Sequence, residues 1–244
     1  MAQCRGQTAT MQAAFFTRET TARDPMRFAE DGAQLLDGAA HALLEAIERA
    51  IARLPGDRPG LRLKGVSELD ALLDPAGPVS AAIAPFAGQT ARPVRAILFD
   101  KNPAANWSLA WHQDRTICVC ERRDVPGFDP WTVKSGLLHV APPFDLLEQM
   151  VTIRIHLDDV PADNAPLLIA PGSHRFGLVR EDAIERVVAA CGVHVCTARA
   201  GDIWVYATPI LHASDAASRP RARRVLQVDY AAFDLPGGLE WSGI

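Results

Sequence analysis

The stretch MVTIRIHLD, residues 150–158, alternates apolar and polar side chains along its whole length. Because successive residues of a β-strand point to opposite faces, we predict a strand with one apolar and one polar face. In a sheet covered by helices, the apolar face packs under the helices and the polar face lines an interior pocket. The alternative is that the polar face meets water, and periodicity does not separate the two. The apolar set is Val151, Ile153, Ile155 and Leu157, and the polar set is Thr152, Arg154, His156 and Asp158.

Further short strands lie on both sides of this stretch, most of them bounded by Pro, Gly or Asp turns. We predict them over residues 94–99, 112–120, 167–170, 193–198, 203–206 and 223–231. Before residue 93 the spacing predicts helices over 38–54 and 79–86, and a short helix with Ser67 as its N-cap. Strands that follow helices predict a mainly β fold, a jelly-roll sandwich with a helical cover.

The composition is ordinary for a globular protein. The chain has 244 residues, of which 48% are hydrophobic and 22% charged, and its net charge is −4. We expect a single domain over 23–244 behind a flexible polar tail over 1–22. The negative charge argues against nucleic acid as a partner, and the lack of an apolar run of about 18–20 residues argues against a membrane span. No signal-peptide core is present near the start, so we expect a cytoplasmic location.

The cysteines are odd in number and scattered, which is not the pattern of a disulfide framework. The Cys118-x-Cys120 spacing also differs from that of a zinc knuckle or a redox pair. We therefore expect reduced cysteines, four of the five on or beside strands, and no second metal site. The five are Cys4, Cys118, Cys120, Cys191 and Cys196.

A possible metal motif stands in AWHQDRTI, residues 110–117. If this stretch is extended, His112 and Asp114 leave the backbone on the same side and can aim at one point. Two such ligands with one further histidine form the two-His-one-carboxylate triad that holds Fe(II) and leaves one coordination face open. A lone His-x-Asp is also common by chance, and the alternative is a polar strand end.

Asp114 is followed by five histidines, each a candidate third ligand. His156 lies on the polar face of its strand, whereas His174 lies in a PGSH turn. His212 alone is followed by an arginine at the start of a predicted strand. Spacing favours His212 but leaves His156 and His174 open. The full set is His139, His156, His174, His194 and His212.

Several motifs in order resemble the phytanoyl-CoA dioxygenase (PhyH) family: HQD at 112–114, NAPL at 164–167, PGSHR at 171–175, and HAS at 212–214 followed by Arg223. The similarity runs from about residue 93 to residue 230, and more loosely to FAEDG at 28–32. The family's enzymes are iron(II)- and 2-oxoglutarate-dependent oxygenases on a double-stranded β-helix, a jelly roll whose N-terminal helices pack on the major sheet. Ala165, where the family commonly has Gly, is a departure from the pattern, and so is Arg154, where some members have an aromatic residue.

The resemblance implies a site and a reaction. It implies that His112, Asp114 and His212 bind iron. It implies that Arg223 pairs with the distal carboxylate of 2-oxoglutarate, and that Ser214 supports that carboxylate. With Fe(II), 2-oxoglutarate and O2, such an enzyme hydroxylates a small, polar or anionic substrate and releases succinate and CO2. The carboxylate of Asp114 favours hydroxylation over halogenation. The alternatives are a cupin-like metal protein that does not use 2-oxoglutarate and a non-catalytic binding module.

Polar and aromatic residues near these motifs are candidates for substrate contact. We also interpret residues 122–143 as a loop that forms a lid over the pocket and is partly disordered without substrate. Nothing in the sequence sets the oligomeric state or the identity of the substrate. The candidates are Trp111, Arg115, Trp131, Lys134, His139, Arg154 and His156.

Two adjacent arginines compete for the co-substrate. Arg223 and Arg224 point to opposite faces of their predicted strand, so only one reaches the pocket. Arg224 shares a face with Leu226 and Val228, which suits packing against helices. We therefore expect Arg223 in the interior, unless a one-residue bulge exchanges the two faces.

Overall fold

The computed structural model describes residues 25–55 and 60–244. The tail predicted over 1–22 lies outside the described residues, and the single domain over 23–244 stays a prediction. None of the described helices is long and apolar enough to cross a membrane. The helices are α1 (Phe28–Asp31), α2 (Leu44–Ile51), α3 (Ser67–Leu73), α4 (Pro78–Ala87), α5 (Phe144–Glu148) and α6 (Ile184–Cys191).

The strands are short and follow one another through most of the chain. They are β1 (Ala33–Leu36), β2 (Gly60–Leu63), β3 (Arg92–Lys101), β4 (Leu109–His112), β5 (Ile117–Val119), β6 (Trp131–Lys134), β7 (Leu137–Val140), β8 (Val151–His156), β9 (Leu167–Ile169), β10 (His194–Cys196), β11 (Ile203–Ala207), β12 (His212–Ser214) and β13 (Arg223–Ala231).

The strands form three antiparallel sheets. The six-stranded major sheet has the order β1-β11-β8-β13-β3-β2, and the four-stranded minor sheet has the order β10-β9-β12-β4. Strands β5, β7 and β6 form a separate three-stranded sheet. This arrangement confirms the mainly β prediction, and its relatives in fold are described below with the site.

Helices α2, α3 and α4 cover the outer face of the major sheet. Ile47, Leu69 and Ile83, one from each helix, are fully buried in one cluster with the apolar residues of β8 and β13. Each such side chain contributes roughly 1.5–3 kcal/mol through burial. Three N-terminal helices therefore contribute to the core on the apolar face of the major sheet.

The alternation of β8 has the predicted orientation. Val151, Ile153 and Ile155 belong to the core shared with the helices, and Thr152, Arg154 and His156 are buried on the opposite face. The polar face therefore turns inward and does not meet water. Asp158 was predicted to share this face, but β8 ends at His156 and Asp158 instead bonds to Arg224 on the helix side.

The strand predicted over 112–120 is wrong, because the chain changes sheets within it. Strand β4 ends at His112 in the minor sheet, and β5 begins at Ile117 in the three-stranded sheet. The buried side chain of Gln113 fixes the break: its amide donates to the carbonyls of Gly177 (2.9 Å) and Pro209 (2.8 Å), and its oxygen accepts from the Val179 amide. Asp114 therefore stands in a loop and not on a strand.

The segment 122–143 is not the long loop that we predicted. Residues 131–140 form a hairpin, β6–β7, that pairs with β5. One face of this hairpin packs on an apolar cluster that includes Phe128, Val140 and Met150. A regular hairpin with a packed face explains the length of the segment. That the segment forms a lid and is partly disordered without substrate stays a prediction.

Smaller differences concern element ends. The helix predicted over 38–54 is a 3-10 turn at His41–Leu43 followed by the shorter α2. Ser67 does not cap α3, because Val66 precedes the helix and the Ser67 hydroxyl donates to Glu68. The described cysteines are free, but Cys191 ends helix α6 rather than flanking a strand.

Candidate metal centre and co-substrate pocket

The metal candidates meet at the edge of the minor sheet. His112 and His212 are directly paired across β4 and β12, and their ring centroids are 4.3 Å apart. Asp114 reaches the same point from the loop after β4. One ligand atom from each of the three lies within 4.8 Å of the other two. The proximity thus comes from strand pairing and a loop, and not from the i, i+2 geometry of one strand.

Both imidazoles are held in the orientation that a metal ligand requires. Nδ1 of His112 lies 2.8 Å from the Ala110 carbonyl, and Nδ1 of His212 lies 2.9 Å from the Ile210 carbonyl. A carbonyl accepts a hydrogen bond from a protonated Nδ1, so the lone pair of each ring is on Nε2. Burial, and then His112, lowers the pKa of His212 to about 4. The ring is therefore neutral near pH 7, as metal binding needs.

Asp114 is kept ionised by a buried arginine. Arg95 donates from Nη2 to Asp114 Oδ2 at 3.3 Å and from Nε to Asp229 Oδ2 at 2.5 Å. Burial alone would raise the pKa of Asp114, but Arg95, followed by His212 and His112, lowers it. Asp229 in turn accepts from Thr152, which ties this arrangement to β8.

This donor set fits Fe(II). Two neutral imidazoles and one carboxylate are the ligands of the facial triad, and no thiolate is needed. His212 is buried, whereas the Asp114 side chain is 21% exposed, so one side of the site is accessible. Among the described residues, neither His156 nor His174 joins a cluster of metal-binding type. The third candidate ligand is thus His212, which spacing had favoured without deciding.

The two competing arginines lie on opposite faces, as predicted. Arg223 is buried and donates from Nη1 to the Ala165 carbonyl, and its Nε has no hydrogen-bond partner among the described residues. Arg224 instead binds Asp158 at 2.7 Å and Glu48 of α2 at 2.9 Å. Arg223 is therefore the one that faces the interior.

A buried lysine beside Arg223 was missed by the sequence analysis. Lys101 Nζ donates to Ser214 Oγ at 3.0 Å and to the Trp107 carbonyl at 2.7 Å. Burial, followed by Arg223 and Arg154, lowers the pKa of Lys101 to about 8. The strand predicted over 94–99 stops two residues short of Lys101, whereas β3 reaches it. The alternation of β3, continued from Arg95 by two-residue steps, would have placed Lys101 on the inner face.

Arg154 and His156 complete the inner wall. Arg154 Nε donates to Gln227 Oε1 at 3.1 Å and to the Tyr206 hydroxyl at 3.3 Å. His156 is buried, and neither ring nitrogen has a partner among the described residues. Burial, then Arg154 and Arg223, lowers the pKa of His156 to about 3. No salt bridge joins Lys101, Arg154 or Arg223 to a carboxylate in the described chain. We call these three cations the inner cluster.

The other substrate candidates divide into two groups. Arg115 donates to the Val179 carbonyl and lies 3.7 Å from Glu181. Trp131 packs in the apolar cluster of the hairpin, with the Arg122 guanidinium over its ring, and Trp111 packs against a separate cluster near α6. None of these three joins the inner cluster. Lys134 and His139 lie on the opposite face of the hairpin, within electrostatic range of Arg95.

Comparisons with known proteins give a family and a fold. The model of the Phytanoyl-CoA dioxygenase (PhyH) family matches residues 12–225. No curated protein matches the chain. Among solved structures, the apoform of EctD from S. alaskensis aligns with a TM-score of 0.59 at 15% identity, covering 84% of this chain and 74% of EctD.

Two further structures extend the comparison. SnoN, described as a non-heme alpha-ketoglutarate-dependent epimerase from nogalamycin biosynthesis, has a TM-score of 0.59 at 18% identity and covers 87% of this chain and 86% of its own. HygX from Streptomyces hygroscopicus, solved with nickel and 2-oxoglutarate, has a TM-score of 0.53 at 16% identity and covers 85% of each chain. At these identities the similarity shows the fold alone.

Proposed function

The chain belongs to the phytanoyl-CoA dioxygenase (PhyH) family of iron(II)- and 2-oxoglutarate-dependent oxygenases, and on that premise we propose that it hydroxylates a small, polar or anionic organic substrate. The cofactors of the family are Fe(II), 2-oxoglutarate and O2. The substrate and the outcome of the reaction are the parts of this proposal that need a test.

The iron would be held by His112, Asp114 and His212. The hydrogen bonds from Nδ1 of His112 and of His212 orient the two imidazoles, and Arg95 maintains the charge on Asp114. When bound, the iron and 2-oxoglutarate together activate O2 for C–H oxidation, releasing succinate and CO2. The protein's part is to orient the partners and to keep water from competing.

The inner cluster is the observation that carries the co-substrate assignment. Three buried cations without a carboxylate partner are costly, and a dicarboxylate bound among them would supply the missing charge. Arg223 can hold the distal carboxylate by two parallel hydrogen bonds, with Ser214 beside it. Lys101 bonds to that serine and adds positive charge to the same place.

Hydroxylation is favoured by the intact carboxylate ligand. Halogenating relatives have no carboxylate at the position that Asp114 occupies here, and the halide binds in its place. With Asp114 present, a halide has no site there. An epimerase with the same fold, SnoN, nevertheless shows that the fold is compatible with other oxidative outcomes. Product analysis is therefore part of the test.

The test is anaerobic titration of the iron(II)-loaded protein with 2-oxoglutarate, followed by exposure to O2. The expected results are a visible iron–2-oxo-acid charge-transfer band and slow succinate release, which a productive substrate accelerates. With such a substrate, the product should gain one oxygen atom by mass. A cupin-like protein that does not use 2-oxoglutarate would show no band and no succinate, and a non-catalytic module would show binding without succinate.

A further inference from the structure

A second group of polar side chains lies between the hairpin and the edge of the major sheet. In the three-stranded sheet, Cys118 of β5 and His139 of β7 are paired, and Lys134 of β6 shares their face, opposite the apolar cluster. On the major sheet, Arg62 of β2 pairs with Ile97 of β3 and therefore shares the inner face with Arg95. We call Arg62, Lys134 and His139 the hairpin cluster.

Two buried polar atoms of this cluster lack hydrogen-bond partners among the described residues, and its two cations lack a carboxylate. Arg62 Nε and His139 Nε2 are buried and have no hydrogen-bond partner among the described residues. Lys134 Nζ donates to the Thr116 hydroxyl at 3.3 Å, and Arg62 Nη1 lies 3.4 Å from the Ser135 hydroxyl. Neither cation forms a salt bridge within residues 25–55 and 60–244.

The nearby carboxylates are already engaged. Asp229 and Asp114 both accept from Arg95, and Asp114 is in addition a candidate metal ligand. Burial, followed by Arg95, lowers the pKa of both Arg62 and Lys134. The fold therefore holds two partly buried cations near a third, and an anion bound between them would offset the cost of this arrangement.

His139 adds a hydrogen-bond requirement. Its Nδ1 lies 2.9 Å from the Leu137 carbonyl, so Nδ1 carries the proton and Nε2 presents a lone pair. Burial lowers the pKa of His139 to about 4, so the ring is neutral near pH 7. A ligand that satisfies this atom must offer an O–H or N–H.

The cluster is close to the metal candidates. Lys134 contacts Thr116, which is two residues from Asp114, and Arg95 bonds to both Asp114 and the Thr116 carbonyl. Two residues of extended chain span about 7 Å. An anionic group bound by Arg62 and Lys134 would thus anchor a substrate so that a carbon only a few bonds away faces the metal.

We propose that the hairpin cluster binds the anionic group of the organic substrate, with Arg62 and Lys134 pairing with a carboxylate or a phosphate and His139 accepting a hydrogen bond from an adjacent O–H or N–H. This inference rests on the proposed function for its biological meaning. The anion site itself is separate from the inner cluster, which is the proposed site of the co-substrate.

The test uses the full chain loaded with Mn(II) and 2-oxoglutarate, so that the co-substrate site is filled before an anion is added. Sulfate, acetate and inorganic phosphate are titrated by calorimetry into wild type, Arg62→Gln, Lys134→Gln and the double variant. The control is Lys64→Gln/Arg180→Gln, which removes the same two charges from exposed positions. We expect dissociation constants to rise roughly tenfold in each single variant and little in the control.

The outcomes separate the alternatives. If the double variant bound sulfate and acetate as tightly as wild type does, the anion site would be overturned. It would also be overturned if the control pair lost as much affinity as the double variant. Tighter sulfate than acetate binding supports a phosphate-type substrate group, and the reverse supports a carboxylate. Because Lys134 lies on an edge strand, its substitution should leave the fold intact. Unchanged affinities of Lys134→Gln for Mn(II) and 2-oxoglutarate would show this.

The phosphate titration tests the role of His139. Inorganic phosphate carries an O–H at neutral pH and sulfate does not, so His139→Leu should weaken phosphate binding severalfold and leave sulfate unchanged. Equal effects on both anions would remove His139 from the proposal. If the anions bind as expected but 2-oxoglutarate never yields succinate, the proposed oxygenase function fails while the anion site stands.

Discussion

The guanidinium of Arg95 donates to the carboxylate of Asp114 across 3.3 Å, from a side chain that is only 7% exposed. The same guanidinium binds Asp229 at 2.5 Å, so one buried cation joins a candidate metal ligand to the centre of the major sheet. The position of the carboxylate at the metal site thus depends on a β3–β13 contact and not on the loop alone.

We expect Arg95→Met to weaken both the fold and the metal site. The substitution leaves Asp229 buried without its partner, a change that typically costs about 3–5 kcal/mol. Denaturant unfolding should show this loss, and calorimetry should show weaker Mn(II) binding. Arg95→Lys, which keeps the charge, should recover part of both. Metal affinity equal to wild type in Arg95→Met would contradict the role assigned to this arginine.

Replacing Asp114 with Ala should abolish hydroxylation and reduce metal affinity by at least tenfold, because only two neutral ligands remain. The matched control is Asp158→Ala, which removes a carboxylate that binds Arg224 on the helix side of the sheet. Succinate release and Mn(II) binding are measured for both. Turnover that survives in Asp114→Ala would count decisively against the proposed triad.

The faces of the long strands were predictable because alternation is a property of the backbone. The inward polar set of β8 and the opposite facing of Arg223 and Arg224 follow from a period of two residues. The choice of His212 as the partner ligand of His112 came from the resemblance, because spacing left His156 and His174 open. The direct pairing of His112 and His212 across β4 and β12 joins residues about one hundred positions apart, and no local pattern encodes that pairing.

Some predictions failed because they depend on contacts between residues far apart in the chain or on misleading local residue types. The break after His112 is made by the Gln113 amide, whose partners Gly177 and Pro209 lie far along the chain. The inner position of Lys101 was hidden because Asp100 and Asn102 look like turn residues, although β3 continues through Asp100 and ends at Lys101. The hairpin over 131–140 was interpreted as a loop because its edge strand is short and partly exposed.

Protonation of His156 gives a pH dependence whose sign can be worked out. Burial, followed by Arg154 and Arg223, holds the pKa of His156 at about 3 in the folded protein, against 6.5 in the unfolded chain. The unfolded state therefore binds more protons, and stability falls as pH drops through the unfolded value towards 3. Between pH 7 and pH 5 this histidine alone lowers the free energy of unfolding by about 2 kcal/mol.

His156→Phe removes that titration, so its stability should fall less between pH 7 and pH 5 than that of wild type. Denaturant unfolding at the two pH values measures the difference. His41→Phe serves as the control, since that histidine is exposed. Identical slopes in His156→Phe and wild type would mean that His156 is not held neutral by its surroundings.

The last prediction compares the two adjacent arginines. Arg223→Lys keeps the positive charge in the interior but loses the planar pair of donors, so we expect the KM for 2-oxoglutarate to rise by at least tenfold. Arg224→Lys alters only the bonds to Asp158 and Glu48 on the helix side, so its KM should stay within twofold of wild type, with a small loss of stability. Steady-state succinate release at varied 2-oxoglutarate measures both. A larger rise in Arg224→Lys would place the co-substrate on the other side of β13, and the inner cluster would then lose its assigned ligand.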